Sequence, residues 1–155
     1  MTNSVTIRNA ELFFKNFSGR VDNYNRDGRR YFNVYIDDPA VAQQMNEEGW
    51  RIRVRQPRDP SEPVRNYIKV FVSYRYGTPK IIRRLNGVDY FLNEDTVGIL
   101  DSDVITEALV QFHPASKDKA PDGLYSAYLD QMVAFVEEDE FQKAYKDILG
   151  ENGEA

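Results

Sequence analysis

The feature that most constrains the fold is the alternation of side chains in residues 66–76, NYIKVFVSYRY. Every second residue of its central part is aliphatic: Ile68, Val70 and Val72. The residues between them carry rings or polar groups: Tyr67, Lys69, Phe71 and Ser73. Because successive side chains of a β-strand point to opposite faces, this pattern predicts a strand with one buried face. Sheets built from such strands are typically antiparallel.

The same period of two recurs along the chain and indicates a mainly β protein. Residues 30–36 (RYFNVYI) and 51–55 (RIRVR) both alternate, and in the second window Ile52 and Val54 are predicted to face the core. Further strands are predicted at residues 4–14, 80–84, 89–92, 104–113 and 124–136.

Two helices interrupt the strands. In residues 37–49, Asp38 is a candidate N-cap, Pro39 suits the first turn and Gly49 suits the end of a helix. A second helix is predicted from Asp139, with one apolar stripe formed by Phe141, Tyr145, Ile148 and Leu149. That stripe has two possible roles, since it can pack on the sheet or offer a docking surface to a partner.

The net charge of -5 hides an asymmetry. Residues 1–90 contain sixteen basic and ten acidic residues, a balance of +6, whereas residues 91–155 contain four and fifteen, a balance of -11. All thirteen arginines precede residue 85. A basic body joined to an acidic end indicates a surface for anions followed by a segment that repels them. The alternative is that the opposite charges pair within the fold.

Length and composition exclude several classes of protein. A chain of 155 residues suits one domain, and no run approaches the roughly 18 apolar residues of a membrane helix. The first residues lack the pattern of a secretory signal, so we expect a protein of the cytoplasm. The absence of cysteine excludes disulfides, thiol nucleophiles and thiolate metal sites.

A row of arginines is the first candidate binding feature. If Ile52 and Val54 face the core, then Arg51, Arg53 and Arg55 project from the other side, about 6.6 to 7 Å apart. This spacing is close to the phosphate repeat of an extended nucleic-acid strand. The alternative is that the arginines protect an edge strand from aggregation.

Aromatic residues accompany cations on the other faces that are predicted to be exposed. The groups are Tyr31 and Tyr35 beside Arg29 and Arg30, Tyr67 and Phe71 around Lys69, and Tyr74 and Tyr76 around Arg75. An exposed ring beside a cation lets a base stack while its phosphate is neutralised. The pattern therefore indicates a surface for single-stranded nucleic acid, although some of these tyrosines could instead cover a second core layer.

Long polar connections are predicted at residues 18–29, 56–65 and 114–123. In a small β domain, loops of this length are either disordered or hold a ligand. Two of them carry arginine, with Tyr24 and Arg26 in the first and Arg58 in the second. A groove walled by such loops across a curved sheet is how OB-folds hold single strands.

Catalytic constellations are poorly represented. His113 is the only histidine and is interpreted as structural. Asp101 and Asp103 resemble the paired carboxylates that hold Mg²⁺, with Glu94 and Asp95 nearby, but aspartates at a turn more often cap backbone N–H groups. No nucleotide-binding or nucleophile motif occurs. We therefore predict a protein that is not an enzyme, with no metal and no cofactor.

The order of these elements resembles the OB-fold single-stranded-DNA-binding proteins of tailed phages and prophages. The resemblance runs from about residue 5 to residue 140 and rests on element order rather than on one short motif. The matching segments are RRYFNVYIDD, the helix PAVAQQMNEEGW, the strand NYIKVFVSYRY, the turn TPKI, the segment VGILDSDVI and the final GLYSAYLDQMVAFVEEDEF.

The resemblance implies a fold, a function and a set of contacts. The fold is an OB-fold-like antiparallel barrel in residues 1–136, with a short helix after the second strand, followed by an acidic C-terminal helix and tail in residues 137–155. The residues implied to bind DNA are Arg30, Tyr31, Arg51, Arg53, Arg55, Tyr67, Lys69 and Phe71. The residue pattern adds Arg26, Arg29, Tyr35 and Arg75.

The implied function is to coat and protect single-stranded DNA during replication or recombination in the cytoplasm of the bacterial host. The acidic segment at Glu137, Glu138, Asp139 and Glu140 would recruit replication or recombination proteins, as acidic tails do in the wider group. The chain closes without the terminal aromatic residue of such tails. A phage structural or interaction domain that binds an acidic protein partner is the alternative, and both a monomer and a homodimer are compatible with the sequence.

Overall fold

The structure is a computed structural model and describes residues 3–115, 122–138, 140–141 and 144–145. Its strands are β1 (Val5–Ala10), β2 (Leu12–Asn16), β3 (Arg30–Tyr35), β4 (Arg53–Arg55), β5 (Arg65–Val72), β6 (Lys80–Leu85), β7 (Val88–Leu92), β8 (Val104–Pro114) and β9 (Ala127–Glu137). Among the described residues it also has the helix α1 (Pro39–Glu48) and the 3-10 helix η1 (Val97–Asp101). The prediction of a mainly β protein is confirmed.

All these strands belong to one sheet. Six follow one another in the order β1-β8-β9-β5-β3-β2, while β4 pairs with β5, β6 pairs with β9, and β7 pairs with β6. The two ends of this path, β1 and β2, are separated only by Glu11. The strand predicted at residues 4–14 is therefore two strands, because it bends to bond β8 with one half and β3 with the other. Asn9 takes a positive φ of 52° at that bend.

Strand β9 joins three groups of strands. It runs antiparallel to β8 and parallel to both β5 and β6. Most of the pairings are antiparallel as predicted, and these two parallel pairings make the sheet mixed. Strands β5 and β6 lie along the same edge of β9. Strand β5 pairs with the beginning of β9, and β6 pairs with residues further along it.

The core lies under one face of β3 and β5 and continues across β8 and β9. Its largest fully buried side chains are Trp50, Phe17, Phe32, Phe112, Ile68, Ile81, Leu100 and Met132. The alternating aliphatic residues of the two clearest predicted strands, residues 30–36 and 66–76, all reach this core, although the second strand ends at Val72. Burial of apolar surface of this kind stabilises a fold by about 25 cal/mol per Å².

Helix α1 begins and ends as predicted. Asp38 caps its start by accepting a hydrogen bond from the Ala40 N–H at 2.9 Å, and Gly49 ends it in the left-handed conformation, with φ of 96°. Ala42 and Met45 bury its inner side. The predicted C-terminal helix falls largely outside the described residues. No helix in the described ranges is long and apolar enough to cross a membrane.

Candidate nucleic-acid interface

Opposite the core, strands β2, β3, β4, β5 and the start of β9, together with the residue before β3, present rings and cations side by side. Cross-strand pairs set this arrangement, because Tyr31 lies opposite Phe71 and Arg53 lies opposite Tyr67. We call this surface the aromatic–cationic face. Its members are Phe13, Arg29, Tyr31, Arg53, Arg55, Tyr67, Lys69, Phe71 and Tyr128.

Lys69 occupies the middle of the aromatic–cationic face. Its Nζ lies 4.5 Å from the centroid of the Tyr31 ring and 6.0 Å from that of Phe71. Burial lowers the pKa of Lys69, and the nearby charges of Arg53 and Arg29 lower it further. The ammonium group therefore sits in a positive environment, although the side chain as a whole remains exposed. An anion placed beside it would favour its charged form.

Arg29 connects Phe71 to β9. Its Cζ lies 3.7 Å from the Phe71 ring centroid, and its Nη2 donates a hydrogen bond of 2.7 Å to the hydroxyl oxygen of Tyr128. The Phe71 and Tyr128 rings are 5.7 Å apart between centroids. Two half-buried rings and one exposed guanidinium thus form a continuous surface.

At the other end of the aromatic–cationic face, Arg55 covers a second group of rings. Its Cζ lies 4.7 Å from the ring centroids of both Phe13 and Phe14, and its Nη1 donates a hydrogen bond to the Tyr35 hydroxyl. Phe13 also stacks on Tyr35 at 4.3 Å and meets Tyr67 edge-on at 5.1 Å. These contacts hold the rings in fixed positions.

Tyr35 does not have the exposed ring that the sequence predicted. It is only 7% exposed, since Phe13 covers one side and Arg65 the other. A base cannot stack on a ring that is covered on both faces. The prediction that Tyr35 offers an exposed ring for base stacking is therefore wrong.

The arginine row is not a single row. Strand β4 spans only Arg53–Arg55, and Val54 is 53% exposed rather than buried. In the described sheet β4 is an edge strand that pairs with β5 alone, and the exposure of Val54 shows that its side of β4 is not fully covered. Arg53 and Arg55 join the aromatic–cationic face, whereas Arg51 precedes the strand.

Arg51 instead forms an ion pair. Its Nη2 lies 2.8 Å from a carboxylate oxygen of Asp122. This hydrogen bond is the main cause that lowers the pKa of Asp122, and a hydrogen bond from the Leu124 N–H adds to it. Arg51 is thus held at the start of β9 and away from Arg53.

Three other predicted DNA-binding arginines lie outside the aromatic–cationic face. Arg30 alternates with Tyr31 along β3, and its Nη1 lies 3.5 Å from Glu94. Arg75 lies beyond the end of β5, in the connection to β6, and is exposed beside Tyr76. Arg26 is exposed in the connection between β2 and β3.

The connection between β2 and β3 is an ordered hairpin. The Asn25 amide donates to the carbonyl oxygens of Arg20 and Arg29, both at 2.9 Å, and so ties its two arms together. A Cβ on Gly19, where φ is 73°, would lie 2.7 Å from the carbonyl oxygen of Gly28. This close approach requires glycine. At the tip, Tyr24 is 97% exposed.

The carboxylates that suggested a metal site bind protein donors. Asp101 accepts hydrogen bonds from the backbone N–H groups of Phe17 at 2.6 Å and Ser18 at 3.0 Å. Asp103 takes a two-point ion pair from Arg83 at 2.7 and 2.9 Å. Across the described part of the chain, no group of three or more acidic or histidine residues is arranged to hold a metal ion.

Comparisons with known proteins identify the family of the chain and a similar fold. A family model described as "Putative phage ssDNA-binding domain" matches residues 1–154. The chain belongs to this family.

Among solved structures, a single-stranded DNA-binding protein from bacteriophage Enc34 in complex with ssDNA matches with a TM-score of 0.54, over 89% of each chain. The two sequences are 10% identical, so this likeness concerns the fold. No curated protein matches the sequence.

Within this member of the phage ssDNA-binding domain family, two rings of the aromatic–cationic face were not predicted from the sequence. Phe13 comes from β2 and Tyr128 from β9. The sequence pattern could have identified Tyr128, because Tyr128 alternates with Ala127 and Leu129, which are buried. No sequence pattern could have identified Phe13, because Phe13 and Phe14 are adjacent rings that alternation does not distinguish, and Phe14 is exposed as well.

Proposed function

We propose that this domain binds single-stranded DNA on the aromatic–cationic face and performs no chemistry on it. The observation that carries the proposal is the position of Lys69 between the Tyr31 and Phe71 rings, with its pKa lowered by burial and by Arg53 and Arg29. A phosphate would restore a favourable environment to this ammonium group. Membership of the phage ssDNA-binding domain family supports the same conclusion.

Binding combines two physical contributions. Bases stack on the half-buried rings of Tyr31, Tyr67 and Phe71, and each stacked base contributes about 1 to 3 kcal/mol. Arg29, Arg53 and Lys69 neutralise phosphates between the bases. Every base offers a π-face, so this arrangement tolerates any sequence. A duplex keeps its bases stacked on each other and cannot use the rings.

We infer an OB-like barrel as the scaffold. Support comes from the bent N-terminal segment, whose two strands bond to β8 and to β3 and so connect both ends of the six-strand path. In this scheme residues 1–136 bind DNA, and the acidic segment of residues 137–155 remains the proposed contact for replication or recombination proteins. The protein would coat single strands during those processes in the host cytoplasm.

The test is fluorescence anisotropy with a labelled thymidine oligonucleotide and its matching duplex across a salt series. We expect tight binding to the single strand and much weaker binding to the duplex. The logarithm of the affinity should fall linearly with that of the salt concentration, by about 0.7 for each phosphate neutralised. Equal affinity for the two forms, or none for either, would reject the proposal in favour of an acidic protein partner.

Matched variants locate the surface. Phe71→Ala should weaken single-strand binding by roughly fivefold or more, the equivalent of one stacked base. Phe91→Ala serves as the control, because Phe91 is an exposed phenylalanine of the same sheet but lies on β7, outside the aromatic–cationic face. Equal losses in the two variants would move the binding surface elsewhere.

A further inference from the structure

A cavity of about 690 Å³ opens beside the aromatic–cationic face. Its walls come from the connection between β5 and β6, the end of β8 and the start of β9, and they include Arg29, Arg51, Thr78, His113 and Tyr128. Arg29 and Tyr128 belong to both the cavity and the aromatic–cationic face. A strand lying on that face thus has direct access to the cavity. Its volume is typical of small-molecule sites.

Rings lead from the aromatic–cationic face into the cavity. Phe71 lies 5.7 Å from Tyr128, and Tyr128 lies 6.2 Å from His113, measured between centroids. The planes of the last two rings are inclined by only 29°. Asp130 fixes the imidazole through its Nδ1 at 2.6 Å, and the His113 side chain remains 48% exposed. The wall therefore offers a fixed, partly open ring surface.

Cations line the same cavity. Arg29 is exposed and bonds to the Tyr128 hydroxyl, while Arg51 directs its Nη2 to Asp122. The Nε of Arg51 is buried and has no hydrogen-bond partner within the described ranges. A buried donor without a partner is unfavourable, so a rotation of the Arg51 side chain that brings this donor to an anionic oxygen would be favourable.

We propose that this cavity is a subsite for one nucleotide of the bound single strand. Its base lies against Tyr128 and His113, and its phosphate lies between Arg29 and Arg51. The inference rests on the proposed function and extends it. Because a base inside the cavity cannot be paired or stacked on its neighbours, the subsite also selects single strands over duplex.

The chain contains its own probe for this subsite. His113 is the only histidine, so its imidazole protons give one set of NMR signals. We expect these signals to shift when a thymidine oligonucleotide is added to the full chain, because a base stacked nearby changes their magnetic environment. Anisotropy on the same samples reports whether the strand binds at all.

A cavity-filling variant separates contact from indirect effects. Thr78 lines the cavity and is exposed, so Thr78→Trp fills the space without disturbing the core. We expect it to abolish the DNA-dependent shift of the His113 signals and to weaken single-strand binding roughly fivefold or more. Thr6→Trp is the control, since Thr6 is exposed on β1 and outside the cavity.

The outcomes are distinct. A strand that binds while the His113 signals stay unchanged overturns the subsite and leaves the proposed function intact. So does a Thr78→Trp protein that binds with the original affinity and shows the original shift. If the strand fails to bind the unmodified protein at all, both the subsite and the proposed function fall.

Discussion

The guanidinium carbon of Arg65 lies 3.4 Å from the centroid of the Tyr35 ring. The same guanidinium reaches Asp37 at 2.7 Å and Glu11 at 3.2 Å. The hydrogen bond to Asp37 is the main cause that raises the pKa of Arg65. Arg65 therefore fastens the start of β5 to the junction of β1 and β2 and to the segment after β3, and its positive charge is already compensated within the protein.

Replacing Arg65 should lower stability more than it lowers DNA affinity. Arg65→Ala removes two ion pairs and a cation–π contact, and we expect a loss of about 1 to 3 kcal/mol in the free energy of unfolding. Denaturant titration monitored by circular dichroism measures this loss. Arg58→Ala, which removes an exposed arginine from the preceding loop, should change stability by less than about 0.5 kcal/mol. A stable Arg65→Ala protein with weakened DNA binding would contradict the structural role.

Lys15 should also be structural. Its Nζ donates to the backbone oxygens of Leu100, Asp101 and Asp103 at 2.6, 2.9 and 2.7 Å. Lys15→Met would leave these acceptors without their donor, and we expect a loss of about 2 to 4 kcal/mol in the free energy of unfolding. Lys80→Met removes an exposed lysine and is the matched control. Equal thermal midpoints for the two variants would show that the three contacts add no stability.

Lys69 predicts a pH dependence of DNA binding. In the free protein its pKa is lowered by burial, Arg53 and Arg29, whereas a bound phosphate would raise it again. Above the lowered pKa, binding must therefore be accompanied by proton uptake. Affinity should fall as pH rises through this value, which lies below the ordinary lysine value of about 10.4.

The control for this effect is Lys69→Arg, which stays charged throughout the range. Anisotropy at fixed ionic strength should show a flatter alkaline profile for the arginine variant than for the unmodified protein. Parallel profiles would assign the pH dependence to another group.

Tyr24 predicts a contribution from the β2–β3 hairpin. Its ring is almost fully exposed at the tip, next to the exposed Arg26 in the same hairpin. Tyr24→Ala should weaken single-strand binding by roughly fivefold and leave the thermal midpoint unchanged, since the ring buries almost nothing in the free protein. Val21→Ala, at another exposed apolar residue of the hairpin, should alter neither quantity. An unchanged affinity for Tyr24→Ala would place the strand away from this tip.

The sequence predicts the fold correctly in those strands whose alternating apolar side chains are covered by another part of the protein. In β3 and β5 the alternating aliphatic residues are buried, as expected. In β4 the same reasoning fails for Val54, because alternation shows which side chains share a side but not whether another element covers it. The register shift in β9 is also invisible to a period of two. Leu129 and Met132 are both buried although they are three residues apart.

The candidate site is predictable in its chemistry and less so in its membership. The rings and cations of β5 fall where the alternation places them, with Tyr67, Lys69 and Phe71 on the aromatic–cationic face. Tyr35 and Arg51 depart from the prediction because distant segments cover the first and pair with the second. Contacts between residues far apart in sequence decide such cases. The assignment of individual residues to DNA binding remains a prediction.

Strand β9 also determines when the chain can fold during its synthesis. Without β9, the remaining strands form three separately paired groups: β1 with β8, β2 to β5 together, and β6 with β7. A ribosome releases residues 127–137 after all of them, so in the growing chain these three groups are not yet joined by strand pairing. The nascent protein should therefore rely on chaperones or rapid elongation until its last strand emerges.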